Sequence, residues 1–271
     1  GHLTGSLPLI PVSDGVGEVV ETGPGAEDVS VGERVCPMFM QAWSAGPPSR
    51  ERLTATLGGP LDGAMAEFMC VPARSVARVP AHLSDEAAAT LPCAALTAWN
   101  ALITEGRLQP GETVLVQGTG GVALFALQFA KLAGARVIVI SSSAAKLERA
   151  RQLGADHLIN YREVPEWGKA AKALAGGEGV DHVVELGGSQ TLAQSLRAVR
   201  TGGTLSLIGV LSGGVVEGIP LGLIVTRQVR LQGITVGSRE SFEAMARAMD
   251  QHRLEPVVDR VFPFEELPAA M

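Results

Sequence analysis

The 271-residue sequence predicts an α/β protein in which an all-β N-terminal part precedes a doubly wound parallel sheet. Two observations support this prediction. Up to about residue 80, short strand-like runs are separated by turns rich in glycine and proline. Beyond Gly106, apolar β-branched runs alternate with stretches of helical periodicity. That alternation implies right-handed crossovers between parallel strands.

In the N-terminal part, the sequence predicts short strands, a long loop and the start of a helix. The strand-like runs lie at 15–20, 31–38 and 64–71. The stretch 41–60 has no periodicity and is predicted to be a loop. A helix begins after Ser84, whose hydroxyl is a typical N-cap, and Pro92 is expected to interrupt it.

Beyond Gly106, the sequence predicts the strands of the parallel sheet and the helices that connect them. The predicted strands span 113–117, 136–140, 156–159, 180–184, 203–208 and 229–234. The predicted helices span 121–133, 144–153, 164–175 and 189–199. After them, 238–252 has the periodicity of a helix capped by Ser238, and 257–262 is strand-like.

A glycine-rich turn between the first strand and helix of this part predicts a dinucleotide site. The residues 118–123 (GTGGVA) fit the G-x-G-x-x-G/A pattern, and a second strand follows the helix. Gly118 permits the tight turn, and Gly120 lets the backbone approach a pyrophosphate. The N–H groups at the helix start, including those of Gly121 and Val122, would receive the phosphates. A plain tight turn is the alternative interpretation.

The end of the second strand indicates which dinucleotide is bound. NAD sites place an acidic residue ~20 positions after the glycine turn to bind the ribose 2′-hydroxyl. Here Ser141 and Ser142 occupy that region, with Lys146 further on and Tyr161 after the third strand. Hydroxyls and an ammonium group favour a 2′-phosphate, so the sequence predicts NADPH. Alternatively, Ser143 only caps the next helix and Lys146 is a solvated charge.

Composition argues against several classes of function. The net charge of −6 gives no basic surface for nucleic acid. No apolar run reaches the ~20 residues that a membrane span requires, and the N-terminus lacks the pattern of a signal peptide. The three cysteines are widely spaced, which favours reduced thiols and a cytoplasmic location.

Six short motifs occur in order along nearly the whole chain. They lie at 14–20 (DGVGEVV), 31–35 (VGERV), 91–98 (LPCAALTA), 118–123 (GTGGVA), 153–157 (LGADH) and 202–204 (GGT). This ordered set resembles the medium-chain dehydrogenase/reductase superfamily, in particular its zinc-independent, quinone-oxidoreductase-like branch. The resemblance implies a GroES-like β-barrel domain, a Rossmann domain and an active site in the cleft between them.

The resemblance also implies domain limits and cofactor contacts. Residues 1–96 would form a partial GroES-like barrel, 97–240 the Rossmann domain, and 241–271 a partial return segment to the barrel. Family members usually begin earlier and extend later, so the chain is expected to be a fragment or a truncated protein. Thr97 would lie near the nicotinamide and ribose, Ile208, Gly209 and Val210 along the ring edge, and Thr235 near the cofactor.

The expected zinc ligands are only partly present. Zinc-using relatives carry His-Glu where this sequence has Ser13-Asp14, and serine is a poor zinc ligand. Cys93 falls at the position of another ligand, but a buried thiol is the simpler interpretation. The sequence therefore predicts no metal.

Without zinc, hydride transfer from NADPH to a quinone or an α,β-unsaturated carbonyl is the expected reaction. No catalytic residue or proton donor is identified. The alternatives are a zinc alcohol dehydrogenase with ligands in a missing segment, and a non-catalytic NADPH-binding homologue. The apolar edge at 231–234 favours a homodimer. The expected partner is a small-molecule substrate, with neither nucleic acid nor membrane.

Overall fold

A computed structural model describes residues 7–215, 218–219 and 221–270. The chain divides into two compact units, one formed by Gly1–Leu96 with Gly237–Met271, the other by Thr97–Val236. The sequence-based boundaries were 96/97 and 240/241. Residues 1–6, 216–217, 220 and 271 of the predicted domains lie outside the described residues.

The second unit is built on a six-stranded parallel sheet. Its strands are β4 (Thr113–Gln117), β5 (Arg136–Ser141), β6 (His157–Asn160), β7 (Val180–Glu185), β8 (Val199–Leu207) and β9 (Arg230–Gly233). Their order is β6-β5-β4-β7-β8-β9, and every neighbouring pair is parallel. The next two strands along the chain, β5 and β6, therefore lie on one side of β4, and β7, β8 and β9 lie on its other side. The α/β fold with a doubly wound parallel sheet is confirmed.

Apolar β-branched residues explain why the central strands form. All five residues of β4 are buried, and so are the last five of β5. Strands covered on both faces have such continuous apolar runs. Leu115, Ile138, Val183 and Leu205 lie in one apolar cluster, which the helices between the strands complete.

Five helices follow the strands of this unit. They are α4 (Gly121–Leu132), α5 (Ala144–Gln152), α6 (Trp167–Leu174), α7 (Leu192–Ala198) and α8 (Leu221–Arg227). The first four lie within the predicted ranges. β9 pairs only with β8 in this sheet, so the predicted exposed edge is observed among the described residues.

The first unit contains a small antiparallel sheet. The strands are β1 (Gly17–Glu18), β2 (Arg34–Pro37) and β3 (Val76–Arg78), paired in that order. The predicted loop 41–60 contains a short helix, α1 (Arg50–Thr54), capped by Ser49. The helix α9 (Arg239–His252) is capped by Ser238, as predicted. A final short helix, α10, spans Leu267–Ala270.

Two strand predictions in this unit were wrong. Neither 64–71 nor 257–262 forms a strand. In the first, the amides of Gly63, Ala64 and Met65 donate to carbonyls of the segment Ile10–Val12, and the next, Ala66, donates to the nearby Ala64 carbonyl. A strand needs a continuous ladder of hydrogen bonds with a neighbour, and these segments have none among the described residues.

The helical segment from Asp85 to Thr104 begins after Ser84 as predicted and differs from the prediction at Pro92. It contains α2 (Asp85–Ala88) and α3 (Leu96–Trp99), separated by a π-helical turn at Leu91–Ala95 and followed by another at Asn100–Thr104. Pro92 therefore lies in a widened turn and does not end the segment.

By length and composition the segment could also cross a membrane, but 67% of its apolar window is buried inside the protein. That is the behaviour of a core helix.

Candidate dinucleotide site

The glycine turn joins β4 to α4 with little bulk above it. Gly118 has a φ of +77°, a conformation that favours glycine, and its amide donates to the Ile140 carbonyl at 2.7 Å. Gly120 is the N-cap of α4 and makes no side-chain capping bond. A Cβ added at Gly120 would meet nothing within 4 Å. The space over the helix N-terminus is therefore open to an anion.

The start of α4 packs tightly on the sheet behind this open side. Ala123, the last position of the predicted pattern, is completely buried, whereas Gly121 is exposed and Val122 half-buried. Because the N-cap Gly120 offers no capping side chain, the backbone N–H groups of the first turn are suited to phosphate oxygens. The residues of this turn thus fit a dinucleotide pyrophosphate.

Ser141 ends β5 where the adenine-side ribose would lie in a site of this kind. Its side chain is largely buried, and it is the register partner of Asn160 at the end of β6. The Tyr161 amide donates to the Ser141 carbonyl at 3.2 Å, and the Ser143 amide approaches Ser141 Oγ at 3.5 Å. Ser141, Ser142 and Tyr161 are therefore neighbours at adjoining strand ends.

Two cations flank these hydroxyls. Lys146 lies on the first turn of α5, and its side chain is exposed. Arg162 directly follows Tyr161 and is also exposed. Within 7–215, 218–219 and 221–270, no carboxylate forms an ion pair with either of them. Sequence reasoning missed Arg162, although its place next to Tyr161 was a usable signal. Ser143 does cap α5, accepting from the Lys146 amide at 3.4 Å.

The loop after β8 makes a close backbone approach to the end of β7. The amides of Ile208 and Gly209 donate to the Glu185 carbonyl at 3.0 and 3.2 Å. A Cβ at Gly209 would lie 2.0 Å from the Leu186 carbonyl oxygen, so only glycine fits there. Val210 is 65% exposed and points away from the core.

Thr97 and Thr235, the remaining two residues predicted to contact the cofactor, differ in how deeply they are buried. Thr97 is buried on the helical segment, whereas Thr235 is exposed just after β9. The segment around Thr235 is held by Asn100 Nδ2, which donates to the Val236 carbonyl at 2.7 Å.

Parallel topology brings most of the predicted residues to one edge of the sheet. The turn follows β4, and Ser141, Tyr161, Ile208 and Thr235 follow β5, β6, β8 and β9. All of these are carboxyl ends, and the strand order reverses between β4 and β7. Such a switch point is where open α/β sheets bind their ligands. Thr97 is the exception, because it lies on a helix before β4.

The residues at the expected zinc position form a closed hydrogen-bond set. Ser13 Oγ donates to Asp14 Oδ2 at 2.7 Å, and the Cys93 amide donates to Asp14 Oδ1 at 2.7 Å. Burial raises the pKa of Asp14, opposed by these two hydrogen bonds. Burial also raises the pKa of the nearby Cys36 thiol. The part of the chain that the structure describes holds no group of three or more His, Cys, Asp or Glu suited to a metal. At the position itself, Ser13 is a poor zinc ligand compared with an imidazole.

Comparison with known proteins identifies the class to which this fold and site belong. Residues 121–251 match the family described as zinc-binding dehydrogenase, and residues 1–81 match the alcohol dehydrogenase GroES-like domain. A zinc-type alcohol dehydrogenase-like protein of Schizosaccharomyces pombe is 42% identical over 269 residues, covering 97% of this chain and 78% of the relative. The chain therefore belongs to the medium-chain dehydrogenase/reductase superfamily and is similar to alcohol dehydrogenase-like oxidoreductases.

Two solved structures show how cofactor use varies among similar proteins. An NAD-dependent alcohol dehydrogenase has a TM-score of 0.83 and 34% identity, with 93% of this chain and 75% of that one covered. The 2-octenoyl-CoA carboxylase reductase CinF, solved with NADP and 2-octenoyl-CoA, has a TM-score of 0.89 and 27% identity, covering 97% of this chain and 64% of that one. Similar folds therefore accompany both dinucleotides.

Proposed function

We propose that the protein is a zinc-free, NADPH-dependent reductase of quinones or α,β-unsaturated carbonyl compounds. The observation that carries the cofactor assignment is Ser141 at the end of β5, where an NAD site has a carboxylate. A carboxylate there would repel a 2′-phosphate, whereas the neighbouring hydroxyls can donate to it. Lys146 and Arg162 add positive charge without competing acidic partners in the described chain.

The acceptor assignment follows from the residues at the zinc position. Asp14 uses both carboxylate oxygens to accept bonds from Ser13 and Cys93. In zinc enzymes the Lewis acid stabilises the alkoxide form of the alcohol during oxidation and polarises the carbonyl oxygen during the reverse reduction. Quinones and enones are already electrophilic, so such a site needs mainly to position them and exclude water. CinF was solved with 2-octenoyl-CoA, an α,β-unsaturated thioester, and this supports the same class of acceptor.

When bound, NADPH supplies the hydride, and the protein holds the dinucleotide. The N–H groups at the start of α4 would bind the pyrophosphate, and Ser141, Ser142, Lys146 and Tyr161 the 2′-phosphate. The backbone at Ile208–Val210 and the Thr97 and Thr235 side chains would contact the nicotinamide end.

The test is steady-state kinetics with both reduced dinucleotides on a quinone and on a simple enone. We expect kcat/KM with NADPH to exceed that with NADH by at least ~10-fold, equivalent to about 1.4 kcal/mol. Alcohol oxidation with NADP⁺ serves as the third assay and is expected to be much slower. Equal use of NADH would refute the 2′-phosphate assignment, and efficient alcohol oxidation would refute the acceptor class.

A zinc-dependent alcohol dehydrogenase is the second candidate. The similarity to zinc-binding dehydrogenases and the position of Cys93 favour it. A non-catalytic NADPH-binding protein is the third, and tight binding without turnover on any acceptor would favour it. We also propose a homodimer paired through the exposed β9 edge, which light scattering of the purified protein would test.

A further inference from the structure

Glu185 is a buried carboxylate with no role in the function proposed above. It ends β7 beside the switch point, and only 1% of its surface is exposed. Within the described chain no lysine, arginine or histidine forms an ion pair with it. Buried carboxylates without charged partners are costly unless several donors surround them. The donors around Glu185 therefore indicate what it organises.

Five donors converge on this carboxylate. Oε1 accepts from the amides of Gly187 and Gly188, both at 3.0 Å, and from the Thr191 hydroxyl. Oε2 accepts from Gln117 Nε2 at 2.7 Å and from the Ser195 hydroxyl. Glu185 thus binds the loop that follows its own strand and also the last residue of β4.

Gln117 extends this network to the glycine turn. It immediately precedes Gly118, and its Oε1 accepts from the amides of Leu186 and Gly187, both at 3.1 Å. The Gln117 side chain therefore bonds to the Glu185 carboxylate and to the loop that the carboxylate holds. Gln117 therefore ties the last residue before the phosphate-binding turn to the loop after β7.

The same residue and its loop also hold the segment after β8. The Glu185 carbonyl accepts from the amides of Ile208 and Gly209. Ser189 Oγ donates to the Ser212 carbonyl at 2.8 Å, and the Ser212 amide donates to the Gly187 carbonyl at 2.8 Å. Three loops at the carboxyl edge of the sheet are therefore joined through Glu185.

We propose that Glu185 is a positioning residue for the dinucleotide. In this role, which rests on the proposed function, Glu185 sets the separation between the pyrophosphate turn at Gly118–Val122 and the backbone at Ile208–Val210. The intact dinucleotide would contact both loops at the same time, whereas its adenine half would contact only the turn and the Ser141 region. Loss of the carboxylate should then weaken binding of the whole cofactor more than binding of the half.

The test compares two ligands by titration calorimetry on the full chain. The probes are NADPH and adenosine 2′,5′-bisphosphate, and the first variant is Glu185→Gln, which replaces one acceptor oxygen with an NH₂ group. We expect the NADPH Kd to rise ~10-fold or more and the bisphosphate Kd to change less than ~3-fold. A variant that only lowers the folded fraction would weaken both ligands by the same factor.

Two further variants keep the test decisive. Thr191→Val removes one donor to Oε1. This variant is the test if Glu185→Gln does not fold. We expect its Kd for NADPH to rise ~3-fold and its Kd for the bisphosphate to stay unchanged. Glu112→Gln is the matched control, because Glu112 pairs with His182 at the opposite end of these strands. We expect that control to leave both Kd values unchanged.

The outcomes separate this inference from the proposed function. Equal changes for the two ligands, or an unchanged NADPH Kd in both Glu185→Gln and Thr191→Val, would overturn the positioning role. Failure of the unaltered protein to bind NADPH or NADH would instead overturn the proposed function, and the positioning role with it.

Discussion

The amide of Cys93 donates a 2.7 Å hydrogen bond to Asp14, across 79 positions of the sequence. The second oxygen of that carboxylate accepts from Ser13 Oγ, also at 2.7 Å. Each carboxylate oxygen therefore accepts one hydrogen bond, and the serine hydroxyl is a poor ligand for zinc compared with thiolate, imidazole or carboxylate. The sequence position that carries a metal in zinc-using relatives is therefore a small hydrogen-bonded cluster in this protein.

Purified protein is expected to contain far less than one zinc per chain. The reason is that Asp14 is engaged by two donors and Ser13 replaces an imidazole ligand. Elemental analysis after dialysis against a weak chelator provides the measurement, with activity on a quinone recorded on the same sample. Stoichiometric zinc whose removal abolishes turnover would contradict the zinc-free assignment.

Asp14→Asn should stabilise the protein at pH 8 and have less effect at pH 4. Burial raises the pKa of Asp14, so the folded state holds its proton more tightly than the unfolded state does. Its contribution to stability is therefore present at low pH and lost as the pH rises through the folded pKa. Asparagine avoids that loss and can keep both hydrogen bonds.

The measurement is thermal unfolding of both proteins between pH 4 and pH 8. A gain of roughly 2–4 °C at pH 8, about 1 kcal/mol for a chain of this size, is expected. Asp62→Asn, which removes an exposed carboxylate of the same unit, is the control and should show no such trend. A gain from Asp14→Asn that is equal at both pH values would rule out this explanation.

The centre of the parallel sheet was predictable because β4 and β5 are mostly apolar runs bounded by glycine or polar residues. Predicted and observed limits of β4 agree, and those of β5 differ by one residue. The turn at Gly118 was also predictable, since its pattern depends on local backbone geometry. By contrast, 64–71 has strand-like composition but lacks a neighbouring strand among the described residues, and composition alone cannot supply one.

The network around Glu185 could not be predicted from local sequence. Its donor Gln117 lies 68 positions away and meets it only because β4 and β7 are neighbours in the sheet. The hydrogen bond between Asp14 and Cys93 spans 79 positions. Both arrangements depend on which elements pack together, whereas the signal at Ser141 depends only on counting from the glycine turn.

Ser141→Asp should shift cofactor preference toward NADH. The added carboxylate would repel a 2′-phosphate and could accept from the ribose hydroxyls of NADH. We expect the NADPH/NADH ratio of kcat/KM to fall at least ~10-fold, about 1.4 kcal/mol. Ser143→Ala is the matched control, since the Ser143 hydroxyl accepts from the Lys146 amide as the cap of α5, and its loss costs ~1 kcal/mol of stability. An unchanged ratio in Ser141→Asp would show that this position does not contact the ribose.

Lys146→Ala should weaken NADPH alone. An exposed cation beside a phosphate contributes about 0.5–1 kcal/mol, so the KM for NADPH is expected to rise roughly 2–5-fold while that for NADH stays constant. High salt should reduce the difference between the variant and the unaltered protein. Lys169→Ala, at an exposed position of α6, is the comparison and should change neither KM. Similar effects on both dinucleotides would mean that Lys146 does not contact the 2′-phosphate.

Gly120→Ala should separate the stability of the turn from its ability to bind phosphate. The φ of Gly120 is −81°, which alanine adopts freely, and the added Cβ would meet no protein atom within 4 Å. We therefore expect the melting temperature without ligand to fall by at most ~4 °C, the cost of a poorer N-cap. Because the methyl group would occupy the space of the pyrophosphate, the NADPH Kd should rise at least ~10-fold.

Two glycine variants bracket this result. Gly118→Ala forces alanine to a φ of +77° and should lower the melting temperature without ligand more than Gly120→Ala does. Gly222→Ala, where a Cβ also meets nothing within 4 Å, should leave the Kd unchanged and should not lower the melting temperature, because alanine has the higher helix propensity in α8. If Gly120→Ala binds NADPH as tightly as the unaltered protein, the pyrophosphate does not pass over this turn. The dinucleotide would then have to bind elsewhere along the carboxyl edge of the sheet.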